Sequence, residues 1–466
     1  MLPTPFALFV AIAAWRANEE TILRTFMLCC LFGATAAFTL PSLGNAPITP
    51  AVAMVPVLVW RALAGRKIND ALRHLVPGRA GFWLMIMFVW GAFTAVVMPR
   101  LFAGETYVFS TSRSSDFLGV SRSLLAPNST NITQTAYLAL SLVVFVAVSL
   151  LLESKGRAEK FSMAVVYLGV ANAIVAVLGL VEFELGVIGP VALLKNASYT
   201  VFDSYEIGGL VRITGAFAEA SGFAGFTIPL MAFVGSLWSS GFRRQVTGPL
   251  AFVLLALLLF STSSTAYVAV GLYAVFLALS AAWQSIVPGG RRLALGWGSG
   301  LCGVAAVAAC LAILLAPEAF TTAWQFLDVM VVRKLESESG LERSSWNAQA
   351  WVNTMDTLGL GAGLGSVRAS SFPLVLVSNV GFLGAGLFLA FVVRAAVPPS
   401  EFVNDHVAIT RLAARHAMLA ALIAASLAAG VFDLGSMFYA FAAAAAIPAT
   451  APTSKAAEEQ PRHAAG

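Results

Sequence analysis

Apolar runs separated by short polar breaks set the rhythm of this chain. They lie near residues 22–40, 47–64, 81–98, 133–152, 161–181, 211–236, 249–261, 265–284, 295–316, 372–394, 410–430 and 433–448. Crossing a hydrocarbon core takes roughly 20 helical residues. Most of the runs approach that length, although 249–261 and 433–448 fall short of it. Leu, Ala, Val and Phe follow one another without the alternation of a barrel strand, so helices are the way to satisfy the backbone in lipid. The pattern predicts an all-α, polytopic transmembrane helical bundle of about twelve spans. Residues 1–449 form a single transmembrane helical domain on this reading, and the Ala/Pro/Glu-rich tail 450–466 is expected to be disordered and cytoplasmic. The apolar stretch of residues 4–15 is too short for a span and lacks a small-residue cleavage site, so an interfacial or re-entrant segment is expected there.

Composition agrees with the pattern. Of 466 residues 59% are hydrophobic and 11% charged, with a mean hydropathy of +0.84. Soluble domains carry about a quarter charged residues, and a globule of this size could not hide so much apolar surface. Cys29, Cys30, Cys302 and Cys310 all fall inside apolar runs, where a thiol acts as a small packing group rather than a bridge or ligand.

The net charge of +5 is distributed in a telling way. Basic residues fill the short breaks: Arg66, Lys67, Arg73 and Arg79; Lys155, Arg157 and Lys160; Arg243 and Arg244; Arg291 and Arg292; Arg394, Arg411 and Arg415. With twelve spans all of these fall on one side, which the positive-inside rule makes cytoplasmic. That distribution orients a membrane protein and gives no reason to expect a nucleic acid partner. The long loops 99–132, 182–210 and 317–371 then face the outside, the periplasm if the host is a diderm bacterium, and any chemistry is expected on that face.

Loop 317–371 is the most informative. Ser339-Gly340-Leu341-Glu342 has the spacing of a capping box and predicts a helix through Trp346 and Trp351 to about Thr357, ended by Gly359. Arg343 falls in its first turn, where a cation opposes the helix dipole, so helix stability does not explain it. A surface or snorkelling arginine is the alternative. Gly359, Gly361, Gly363 and Gly365 alternate ahead of Ser366 and Arg368. Such a run can present amides to an anion, or it can allow close helix packing. At the mouth of the sixth run stand Arg212 and, about two turns deeper, Glu219. An ionisable group at that depth is a functional candidate, although pairing with an arginine for packing would also explain it. Loop 99–132 adds Arg100, Arg113 and Arg122 against Glu105 and Asp116, which suggests an anionic ligand.

Several signatures are missing. There is no Walker loop, HExxH, Cys/His cluster or Asp-x-Asp, and His74, His406, His416 and His463 all fall on the inner side or in the tail. Glu182-x-Glu184 and Glu336-x-Glu338 are more economically read as solvated pairs than as ligands. No metal and no cofactor are expected.

Taken together, Arg212-x-x-Gly215-x-Phe217, Leu259-Phe-Ser261-Thr-Ser-Ser264, Ser339-Gly-Leu-Glu-Arg343 with Trp346, Gly359-x-Gly361-x-Gly363-x-Gly365-Ser-x-Arg368 and Val377-Ser-Asn379-Val-Gly381-Phe-Leu-Gly384 resemble the O-antigen polymerase and ligase superfamily over roughly residues 160–395. The resemblance implies metal-independent, inverting transfer of a glycan from a polyprenyl pyrophosphate carrier in the membrane, often alongside a chain-length regulator protein. Ligases of the family carry an outer histidine just before the span that begins here near Phe372. Ser370-Ser371-Phe372-Pro373 stands there instead, which favours polymerisation of lipid-linked repeat units over ligation to lipid A core. On this expectation Arg212 and Arg343 clamp the donor pyrophosphate, which guanidinium suits. Glu219 serves as the acceptor base. Arg368, Glu342, Arg113 and the amides of Gly361, Gly363 and Gly365 contact substrate. A transporter of the same lipid-linked sugars is the competing class, but no repeat relates the two halves of the chain, as a transporter fold would lead one to expect.

Overall fold

The computed structural model describes residues 18–40, 46–114, 117–154, 156–197, 206–207, 210–286, 338–397 and 405–447. The expected span 295–316, the segment 4–15, the tail, residues 317–337 of the long loop, Cys302 and Cys310 lie outside the described residues.

The chain is mostly helical. In order it forms α1 (Glu19–Cys29), β1 (Phe38–Leu40), β2 (Ala46–Ile48), α2 (Pro50–Leu63), α3 (Ile68–Leu72), α4 (Ala80–Leu101), β3 (Tyr107–Ser114) and β4 (Phe117–Leu124). Then come α5 (Ser129–Leu152), α6 (Arg157–Glu184), α7 (Pro190–Leu194), β5 (Glu206–Ile207) and β6 (Leu210–Val211). The described chain continues with α8 (Ala220–Ser239), α9 (Arg244–Phe260), α10 (Ser264–Ile286), α11 (Glu338–Asp356), α12 (Phe372–Ala396), α13 (Asp405–Ala428) and α14 (Ser436–Ala445). The strands form three separate antiparallel pairs, β1 with β2, β3 with β4 and β5 with β6.

Seven of these helices, α4, α5, α6, α8, α10, α12 and α13, are long and apolar enough to cross a membrane, while α2, α9 and α14 are shorter apolar helices. The molecule is therefore a multi-pass helical membrane protein. Two expected boundaries move. The run 22–40 holds only the 11-residue α1 before the chain turns into β1, because Gly33 and the residues around it leave the helix to pack against Phe217. The run from residue 211 becomes helical only at Ala220.

α8 is the hub. Nearly all of it is buried, and α13, α9, α10 and α6 pack around it. Phe161, Phe233 and Phe441 meet at its core, with Phe233 and Phe441 stacked 5.5 Å apart. The outer helices turn apolar side chains outward, such as Phe93 and Val96 of α4, Ile174 and Val177 of α6, and Leu389 and Val393 of α12. Those faces suit lipid.

The bundle has two chemically distinct ends. At one, Glu19 pairs with Arg66 at 3.3 Å and Arg157 at 3.1 Å, and Glu20 with Arg24 at 2.9 Å and Lys160 at 3.3 Å. Arg394 donates to the Gly78 carbonyl there, and Arg411 Nε to the Ile447 carbonyl at 2.6 Å. The described members of the basic breaks read from the sequence, Arg66, Arg157, Lys160, Arg394 and Arg411, thus gather at one end. The opposite end carries the β3–β4 hairpin, α11 and the glycine loop.

Candidate functional site

The opposite end is assembled from three pieces of chain. Asn128 caps α5, accepting from Thr130 and Asn131 at 2.9 and 3.2 Å, while Asn131 Oδ1 accepts from the Asn128 amide in return. Thr106 donates to Asp356 at 2.6 Å, and Asn353 donates to Thr106 and to the Tyr107 carbonyl, so the hairpin is fastened to α11. Asn347 of α11 accepts from the Ser370 amide at 2.7 Å. α11 runs through Trp346 and Trp351 as the capping pattern predicts. Ala350 is buried in the bundle, whereas Trp351 and Met355 are exposed.

The alternating glycines correct an expectation. The Gly361 amide donates to Thr357 Oγ1 at 3.2 Å, Gly363 to the Asn379 carbonyl at 2.9 Å and Gly365 to Asn379 Oδ1 at 2.8 Å. With all three amides taken up by protein acceptors, these glycines do not form an anion cradle. They are glycine because the loop presses into α12: a Cβ on Gly361 would meet the Gly381 nitrogen at 2.5 Å, and one on Gly363 would meet Pro99 at 2.6 Å. The loop enters where α12 breaks at Gly381, whose φ is 70°. The carbonyls freed by that break accept from the Ala362 and Gly363 amides, and Trp90 Nε1 donates to the Val380 carbonyl at 2.8 Å. The glycine signal is one of packing.

What the loop delivers is Arg368. Its amide donates to the Phe109 carbonyl at 2.9 Å, and its guanidinium lies over Trp346, 5.1 Å from the ring centroid. Burial pushes the Arg368 guanidinium below its ordinary pKa; Glu219 raises it, Arg343 lowers it again and Glu342 raises it. The same pattern holds at Arg212, lowered first by burial, raised by Glu219 and lowered by Arg343. Residues from three distant stretches of sequence therefore share one electrostatic site: Arg212, Arg343 and Arg368 with Glu219 and Glu342. Together they carry three positive charges and two negative ones, an excess of one positive charge. The buried Arg212 Nε has no hydrogen-bond partner, a costly state that a ligand acceptor would relieve.

Glu219 is placed differently from expectation. It is the extended residue just before α8, not a residue two turns inside it, and Ser221 donates to its Oε1. It lines a cavity of about 530 Å³ between α5, α8, α13 and the chain leading into α14. Arg368 does not line that space, although its guanidinium carbon lies 3.1 Å from where a methyl group on Gly430, next in the chain to the lining residues Ala429 and Val431, would sit. Glu342 is exposed at the start of α11. Arg113 falls on β3 opposite Leu118, away from the positions that share the site by sequence, and its side chain lies outside the described residues.

Sequence reasoning missed Asp433, which lines the far part of this cavity. The signal was present: Asp433 is the sole charged residue between Arg415 and Lys455, and a lone carboxylate in so long an apolar stretch marks function. Among the described residues, no group of three or more His, Cys, Asp and Glu side chains is placed to hold a metal ion.

Fold and site together define a multi-pass helical membrane protein with a group of arginines and carboxylates at the end opposite its basic loops. Compared with protein-family models, curated proteins and solved structures, the chain matches none of them.

Proposed function

We propose that this chain is a glycosyltransferase of the O-antigen polymerase and ligase kind. It joins polyprenyl-pyrophosphate-linked repeat units into a surface polysaccharide at the periplasmic face of a bacterial inner membrane. The observation that carries the reading is the electrostatic grouping of Arg212 and Arg368 with Glu219 and Arg343, with Glu219 lining a cavity. A net positive charge, with the buried Arg212 Nε left without a protein acceptor, suits a pyrophosphate. The position of the site at the end opposite the basic loops suits a periplasmic substrate.

In the mechanism we propose, the three arginines hold the donor pyrophosphate. The acceptor hydroxyl attacks the anomeric carbon while Glu219 takes its proton. The C–O bond to the pyrophosphate breaks, and the electron pair leaves with the carrier phosphate. Guanidinium groups stabilise that departing charge, and one well-placed donor contributes about 3 kcal/mol. Polymerisation is preferred to ligation because Ser370 and Ser371 stand before α12 where the ligases carry histidine. The described histidines His74, His406 and His416 sit on the basic side of the bundle.

Deleting the gene and weighing the polyprenyl-pyrophosphate-linked glycans by mass spectrometry tests this, with Arg343→Ala as a rescue control. Single repeat units should accumulate, and Arg343→Ala should fail to clear them. Finished polymer left on the carrier would make the protein a ligase. An unchanged pool would remove glycosyl transfer and return the transporter reading.

A further inference from the structure

The cavity beside Glu219 reaches well below the arginine site. Arg411 of α13 bonds the Ile447 carbonyl just past α14, so the two helices meet at the basic end. From there α13 climbs about 17 residues to Ala428, whereas α14 returns through only about 11 to Ser436. At about 1.5 Å per residue, the segment 429–435 dips about 9 Å into the bundle. Backbone that leaves the helix at this depth is tolerated where it lines a cavity. Asp433 sits at the bottom of the dip.

Asp433 is held but not saturated. Its Oδ1 accepts from the Gly435 amide at 3.0 Å, and Ser141 of α5 lies close enough to favour its charged form. A carboxylate offers about four acceptor positions. Two turns above Ser141 on the same face of α5, Gln134 lines the same cavity, and its buried Oε1 has no partner. Phe217, Phe226 and Tyr137 supply aromatic faces. No basic side chain lines the space, so it does not suit the pyrophosphate. An isoprenoid tail would leave Glu219, Gln134 and Asp433 facing hydrocarbon, at a cost hydroxyl donors avoid. A ring that offers hydroxyls at its edge and C–H groups on its faces meets both demands.

We infer that this cavity is the acceptor subsite: it takes the terminal sugar of the lipid-linked acceptor, with Asp433 and Gln134 as positioning residues below Glu219. The assignment rests on the glycosyltransfer reading above. In it, the acceptor ring hydrogen-bonds through its hydroxyls to Asp433 and Gln134, and this sets the attacking hydroxyl against Glu219. The arginines hold the donor from the other side.

The test uses the full chain in proteoliposomes, fed with lipid-linked glycans extracted from gene-deleted cells. Two competitors separate the subsites: the free repeat oligosaccharide released from that pool, and inorganic pyrophosphate. Asp433→Asn and Gln134→Leu should each weaken inhibition by the oligosaccharide about ten-fold, the effect of a lost hydrogen bond, with inhibition by pyrophosphate unchanged. Arg212→Ala should do the reverse. Gln134→Leu keeps the side chain's bulk and removes an unpaired acceptor, so a purely structural role predicts an equal or higher melting temperature and no change in either inhibition. That result would overturn the assignment, as would equal shifts in both inhibitions. A wild-type chain that makes no polymer from the pool would instead defeat the glycosyltransfer reading, and the subsite with it.

Discussion

The Arg368 guanidinium rests on the face of Trp346, 5.1 Å from the ring centroid, and the Trp346 ring also meets Phe109 at 6.4 Å. A helix, a hairpin and a glycine loop thus fix one cation. A partly desolvated cation–π pair contributes about 1–2 kcal/mol. Trp346→Leu is expected to raise the donor KM about ten-fold with little change in melting temperature. Arg368→Lys should not restore activity lost in Arg368→Ala, because a point charge lacks the planar fork. Steady-state kinetics on the reconstituted protein decides both.

Asn379 is the keystone of the glycine loop. Its side chain accepts from the Gly365 and Val367 amides at 2.8 and 3.2 Å and donates to the Val367 and Val375 carbonyls at 2.8 Å. Asn379→Ala strands several buried groups, each costing about 1–3 kcal/mol. A loss of about 3 kcal/mol or more is expected in thermal unfolding in detergent. Asn379→Asp should also destabilise, since a carboxylate cannot donate to the two carbonyls.

Two glycines should behave oppositely. A Cβ on Gly381 would collide with the Gly359 carbonyl, and its φ of 70° disfavours any other residue, so Gly381→Ala should prevent normal folding. Gly225, inside α8, has nothing within 4 Å of that position and lines the cavity. Gly225→Ala should fold normally, whereas Gly225→Leu should fill the cavity and abolish transfer without lowering the melting temperature. A fully active Gly225→Leu would show that the cavity is not used.

Arginine and carboxylate roles separate by substitution. Arg343→Ala is expected to reduce turnover by about a hundred-fold or more, from the loss of one charge-stabilising donor. Glu219→Gln should abolish proton removal while leaving donor binding intact. Full activity in Glu219→Gln together with an inactive Arg343→Ala would remove the base assignment and leave the clamp standing.

Sidedness has a direct readout. Ser344 is exposed on α11 and Lys67 is exposed at the basic end. In a chain freed of its native cysteines, Ser344→Cys should react with a membrane-impermeant maleimide in intact spheroplasts. Lys67→Cys should react only after lysis, and the opposite result would invert the topology.

Much of the membrane architecture could be read along the chain. Apolar runs report their solvent without reference to partners, which is why the positions of α4, α5, α6, α10, α12 and α13 follow closely from hydropathy. Charge reported the two ends equally well, since Arg66, Arg157 and Arg394 gather as a one-sided array requires. Other elements depended on neighbours. The β3–β4 hairpin carries no apolar run, and α1 stops early because Gly33 must pass Phe217.

The sequence by itself determined that this chain dissolves in lipid, where its helices run, which end is basic and which arginines merit attention. It could do so because hydrophobicity and charge act position by position. The tertiary structure decided what those residues meet. It brought Arg212 and Arg368 under the influence of one carboxylate, Glu219, across more than a hundred residues of sequence. It turned a glycine run from a supposed anion cradle into a packing wedge. It placed Asp433, a lone acid in an apolar stretch, in one cavity with Glu219. Hydrogen-bond partners and excluded space are properties of pairs of groups, and such pairs exist only once the helices have packed.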